Sequence, residues 1–131
     1  MKALDLRGLN PAPVTPFTRD GAVDYAAIQR LGSWLASVDG VKSLTVLGHA
    51  GEGTFLERDE QFKVIEAFRK AVDDKLPIIA GITLEGTQVA AEEAKRAVAA
   101  GASAGLVYPS HGWLRFGYQK GAPQDKYKAI Y

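Results

Sequence analysis

Three glycines, a histidine and a glutamate fall together in Gly48-His49-Ala50-Gly51-Glu52-Gly53, directly after the apolar run Leu44-Thr45-Val46-Leu47. Glycines let a backbone approach a ligand closely, and consecutive amides in such a loop can hold an anion. Read on spacing alone, the same glycines also suit a plain turn. The pattern is not GxGxxG and no Gly-Lys-Ser/Thr follows, which argues against a nucleotide loop. His49 and His111 are the only two histidines, and each follows an apolar run. Imidazoles at such positions suit general acid–base work near neutral pH, the plainer alternative being loop histidines bonded to solvent or backbone. No third ligand accompanies them, so neither a metal nor a cofactor is expected. Glu52 is a candidate base or a support for its own loop. Trp113, Phe116 and Tyr118 crowd the stretch after His111, where aromatics stack on a ligand or, the favoured reading, fill a subunit interface. Glu92, Glu93, Lys95 and Arg96 read as a solvated helix face.

Something must hold these residues at one place, and the pattern of apolar runs supplies it. Four recur, at Pro11 to Val14, Ser43 to Leu47, Pro77 to Ile82 and Ala104 to Tyr108. The last three are nearly continuous hydrophobics with β-branched residues, as expected of strands buried on both faces. Helical patterns fill the gaps. Asp24 can cap a helix with Ile28, Leu31, Leu35 and Val38 on one stripe, ending at Asp39-Gly40, in which Trp34 is a packing residue. Glu57, Asp59 and Glu60 suit the start of a second, with Phe62, Ile65, Phe68 and Val72 facing inward. Thr87 can cap a third that stops at Gly101. A fourth begins near Pro123, with Tyr127, Ile130 and Tyr131 on its apolar face.

The runs start about 30 residues apart, the length of a strand–helix–strand crossover. Such crossovers are right-handed and gather the loops after the strands at one rim. That rim is where a parallel α/β fold places its chemistry. His49 and His111 follow the second and fourth runs, so one strand lies between them and they should stand about 10 Å apart. Four units make a small doubly wound domain or half of an eight-unit barrel, which takes about 250 residues.

Composition narrows the function classes. At 131 residues, 47% hydrophobic and 24% charged, the chain fits one globular domain with a real core. A net charge of +1 with scattered basic residues argues against nucleic acid as a partner. No run approaches the roughly 20 apolar residues of a membrane span, and Met1 to Asp5 does not read as a signal peptide, so a cytoplasmic protein is expected. With no cysteine, disulfides and thiolate metal sites drop out.

Several motifs together resemble the N-terminal half of the dihydrodipicolinate synthase and N-acetylneuraminate lyase family. Pro13-Val14-Thr15-Pro16-Phe17 and Asp20-Gly21-Ala22-Val23-Asp24 match its opening V-T-P-F and D-G-x-V-D. Gly48 to Glu52 falls on its G-T-T-G-E loop, and Leu56 to Glu60 on the helix start that follows. Pro77 to Gly81 fits the third strand, while Gly101-Ala102 and Val107-Tyr108-Pro109 fit the approach to the P-Y-Y region. The resemblance covers nearly the whole chain. It implies residues 1–131 as one partial (βα)₈ TIM-barrel domain of about four βα units with parallel strands, and no second domain.

It also implies a class I aldolase or hydratase-aldolase, a lyase acting on pyruvate or a pyruvyl-containing 2-keto acid through a Schiff base. The family's lysine lies on a sixth strand and its proton-moving tyrosine on a fifth. None of Lys42, Lys63, Lys70, Lys75, Lys95, Lys120, Lys126 and Lys128 is expected at a strand end here, so this polypeptide should not catalyse the family reaction alone. The substrate-binding residues implied are Gly48, His49, Ala50, Gly51, Thr15 and Ser110. His49 and His111 are the acid–base candidates, and Glu52 supports the loop. His49 and Ala50 replace two threonines whose hydroxyls serve carboxylate binding and proton relay, while Ser110 and His111 replace the two tyrosines of P-Y-Y. These departures imply a divergent member with its own substrate and protonation scheme. Exposed sheet edges predict a homo-oligomer. The rival readings are a small α/β anion-binding module and a non-catalytic barrel remnant.

Overall fold

A computed structural model describes residues 4–131, so Met1, Lys2 and Ala3 of the opening stretch lie outside the described residues. Three strands, β1 (Leu44–Val46), β2 (Ile78–Ile82) and β3 (Ala104–Val107), form a parallel sheet in the order β1-β2-β3. Leu44 pairs with Ile78, and Ile79 with Ala104, so the three carboxyl ends emerge at one rim. Helices α1 (Tyr25–Ala36), α2 (Arg58–Val72) and α3 (Thr87–Ala99) fill the connections as expected.

The run Pro11 to Val14 is not a fourth strand. Its neighbourhood lies beside β1, with Thr45 donating to the Pro11 carbonyl at 2.9 Å, Lys42 donating to Leu9 at 2.8 Å and a single parallel bridge joining Leu9 to Val41. Pro11 and Pro13 have no amide to donate, so no ladder propagates. This stretch nevertheless covers the β1 edge, whereas Gly105 and Leu106 on β3 are exposed.

Local signals explain most helix ends. Asp24 accepts from the Ala27 amide at 2.8 Å and caps α1, which stops at Ala36 rather than Asp39. Ile28 of α1 is fully buried, but Trp34 is 61% exposed and does not pack. Glu60 reaches back to the Glu57 amide at 2.9 Å at the start of α2. From α2, Val64, Ile65, Phe68 and Val72 enter the core, with Phe62 packed at its edge. The cap of α3 is Gly86, and Thr87 is already helical. A short helix α4 (His111–Phe116) occupies what read as a loop, and α5 (Ala122–Ile130) follows with Pro123 in its first turn. The expected apolar face of α5 is wrong. Tyr127 and Tyr131 are exposed, Ile130 only borders the core, and the buried residue is Lys126.

Leu47 sets the geometry of the rim. It is buried and takes a left-handed conformation at φ 58°, which ends β1 at Val46 and turns the chain into the glycine loop. A branched residue there is strained and must be held by its surroundings. Two glycines hold it by close approach. A Cβ on Gly53 would stand 2.2 Å from the Leu47 carbonyl oxygen and one on Gly81 2.3 Å, so backbone packs on backbone from both sides. Gly81→Ala should therefore cost about 3 kcal/mol as overpacking with no side chain to yield, read as a lowered urea midpoint at constant slope.

Candidate active site at the carboxyl rim of the sheet

The loop after Leu47 folds back on itself. Glu52 donates to the His49 carbonyl at 3.1 Å and Gly53 to the Gly48 carbonyl at 3.3 Å. The amides of His49, Ala50 and Gly51 donate to no acceptor among the described residues. Three consecutive unengaged N–H groups on a glycine-bounded loop are what an anion-binding concavity requires. Gly51 is buried and a Cβ there would meet the Leu47 amide nitrogen at 2.9 Å. Thr15, buried at 3% exposure, donates its hydroxyl to the Gly51 carbonyl at 2.7 Å and ties the N-terminal segment to the loop. Glu52 is exposed and left-handed at φ 55°; its backbone shapes the loop.

The two histidines meet. Their rings lie 6.0 Å apart, nearly parallel at 18°, closer than the roughly 10 Å that strand spacing alone implies. Tyr108, just past β3, packs on His49 at 4.5 Å between ring centroids. Its hydroxyl sits over Gly48, where a Cβ would be 2.9 Å away. His111 Nδ1 lies 3.4 Å from Glu85 Oε1, and the other Glu85 oxygen accepts from the Gly112 amide at 3.3 Å. Ser110, 5% exposed, donates to the Glu85 carbonyl at 2.7 Å. Ala50 is exposed on the loop. Among the described residues no group of three or more metal-ligating side chains converges. The rim is open; the small hollow lined by Leu47, Gly81 and Glu93 lies between α2 and α3 and holds only about 30 Å³, room for a water.

The geometry and the motifs converge on one lineage. A sequence model of the dihydrodipicolinate synthetase family matches residues 5–111. The chain belongs to that family. It is 40% identical over 107 residues to a 4-hydroxy-tetrahydrodipicolinate synthase of Haloarcula marismortui, covering 82% of this chain and 34% of the relative. A synthase of the same name from Synechococcus is 43% identical over 96 residues, covering 73% and 32%. The crystal structure of the chloride-inhibited dihydrodipicolinate synthase of Acinetobacter baumannii, complexed with pyruvate, superposes with a TM-score of 0.85 at 30% identity over 96% of this chain and 42% of that one. The fold is thus the N-terminal part of the family's (βα)₈ barrel, and the chain spans about a third of the length of the curated relatives it matches.

Against the family pattern, four residues that sequence reasoning passed over belong to the rim. Tyr108 read as the end of a strand, and Glu85 drew no attention three residues beyond Ile82. Glu93, taken for a solvated face, accepts from the amides of Thr83 and Leu84, both at 2.9 Å, and caps the end of β2. Lys126, placed away from any strand end, is fully buried with Nζ under the ends of β2 and β3. It donates to the carbonyls of Leu84 (2.9 Å), Glu85 (3.3 Å) and Tyr108 (3.3 Å) and lies 3.2 Å from the Ser110 hydroxyl. Its α5 register, one residue from an exposed tyrosine, carried no signal of this.

Burial pushes the Lys126 ammonium below the ordinary lysine value of 10.5, and Glu85 and Glu93 pull it back. Between the lowered value and 10.5 the unfolded chain binds more protons than the native one, so this group's contribution to stability grows as pH rises through that window. Lys126→Met should strand the Leu84 and Tyr108 carbonyls and cost about 2 kcal/mol at neutral pH. The gap to the native chain should widen toward pH 10.5 in denaturation curves, because only the native chain gains there.

Proposed function

We propose that this chain carries the carboxylate-binding part of a divergent pyruvate-type lyase, an aldolase or hydratase-aldolase that acts on pyruvate or another 2-keto acid through a Schiff base. One observation carries the reading: the three unengaged amides of His49, Ala50 and Gly51, on the loop that by sequence resembles the family's G-T-T-G-E loop. A 2-keto acid offers a carboxylate for those amides, with Gly48 and Gly51 letting Tyr108 and the Leu47 backbone pack closely on the loop and Thr15 tying it to the N-terminal segment. His49 and His111 take over the proton transfers that the two missing threonine hydroxyls and P-Y-Y tyrosines would serve, and Ser110 fixes the segment entering α4. Tyr108 supports the reading further, since its hydroxyl over Gly48 returns an O–H to a loop that lost two.

The family's Schiff-base lysine and relay tyrosine have no equivalent in these residues. Lys126 does not replace the lysine: it belongs to α5 rather than to a strand, and its Nζ has no exposed surface and is taken up by three carbonyls. The unpaired β3 edge supports self-association or completion by further barrel elements.

Calorimetry with pyruvate followed by borohydride reduction tests the reading. The expected result is heat of binding with no covalent adduct by mass spectrometry, and an adduct only when the remaining barrel strands are supplied as a second polypeptide. Binding that never leads to an adduct under either condition would favour the anion-binding module. No binding under either condition would favour a non-catalytic remnant, and an adduct on Lys126 would overturn the assignment of that residue.

A further inference from the structure

Outside the loop itself, the strongest arrangement on the rim is the chain of contacts from Lys126 through Glu85 to His111. Glu85 is held twice. Its carbonyl accepts from Ser110 at 2.7 Å and from Lys126 at 3.3 Å, while its carboxylate straddles the His111 ring and the Gly112 amide. Lys126 has no exposed surface, so the main-chain end of this residue is anchored in the core although its carboxylate is half exposed. A carboxylate fixed beside Nδ1 of an imidazole selects the tautomer with the proton on that nitrogen and leaves Nε2 as the basic atom, the logic of every carboxylate–histidine pair.

We propose that Glu85 and His111 form a carboxylate–imidazole dyad anchored by Lys126, in which Glu85 holds the Nδ1–H tautomer and Nε2 of His111 is the atom that accepts a proton. His111 is the acid–base group and Glu85 and Lys126 are positioning residues. In the transfer, Nε2 gains the proton, the donor atom of the substrate keeps the electron pair, and the resulting imidazolium is balanced by the Glu85 carboxylate. The contact of 3.4 Å is long for a hydrogen bond, and catalytic pairs of this kind tighten in the complex with substrate. The neighbouring groups fit the role. His49 stacks on His111 at 6.0 Å, and the Trp113 ring stands 5.6 Å from the Lys126 ammonium.

This inference rests on the acid–base role given to His111 above, yet its test needs no ligand, so the two can fail separately. With only two histidines, long-range proton–nitrogen spectra of the imidazoles in the intact chain read both tautomers at a pH where the rings are neutral. The expected result is His111 mostly in the Nδ1–H form, opposite to the preference of free histidine. Glu85→Ala should convert it to mostly Nε2–H with His49 unchanged, and Lys126→Met should shift the same population part of the way. The half-exposed Glu85 side chain makes its alanine variant safe for folding, and Lys126→Arg, which keeps the charge, serves if the methionine variant does not fold. A native His111 mostly in the Nε2–H form would overturn the proposal. So would a tautomer ratio that Glu85→Ala leaves where it was.

Discussion

The seat of the Leu47 carbonyl between Gly53 and Gly81 is the contact on which the rim depends. It fixes a left-handed residue at the end of β1, and that single backbone rotation decides where the glycine loop goes. Because Gly81 belongs to β2 and Gly53 opens the short 3₁₀ turn Gly53–Phe55, the loop is clamped against a central strand on one side and its own far end on the other. Thr15 then fastens Gly51 from a third direction. Strain held by surrounding backbone fixes the loop in which three consecutive amides have no internal partner among the described residues.

Parallel strands that end at one rim also deliver their last carbonyls and amides there, and both kinds of group need partners. Glu93 and Lys126 divide the task by sign. The carboxylate takes the amides of Thr83 and Leu84, while the ammonium takes the carbonyls of Leu84, Glu85 and Tyr108. One charged residue from α3 and one from α5 thus lock the strand ends to the helices behind them. The electrostatics of burial work against the ammonium, and the carbonyl cage is the compensation.

Much of this was legible in the chain. The strand runs with β-branched residues, the Asp24 cap and the Gly48 to Gly53 loop announced a parallel α/β rim and its candidate site, and the V-T-P-F and loop motifs carried the family. The misses have physical causes. Pro11 to Val14 had the apolar content of a strand but not the amides, so it paired at isolated points. Leu47 looked like the last strand residue, since a backbone rotation leaves no mark on composition. Lys126 and Glu93 were misread because charge predicts solvent, and only three-dimensional placement shows a charged group answering buried backbone. Glu85 lay outside every motif. Trp34 misled for the opposite reason, since an aromatic on a helix need not face the core.

The central claim is that the loop amides receive a carboxylate, and titrating ¹⁵N-labelled chain with pyruvate tests it most directly. The account expects saturable, pyruvate-dependent shifts concentrated on the amides of His49, Ala50 and Gly51, reproduced by other small 2-keto acids. Shifts that bypass these three amides while others saturate would contradict it.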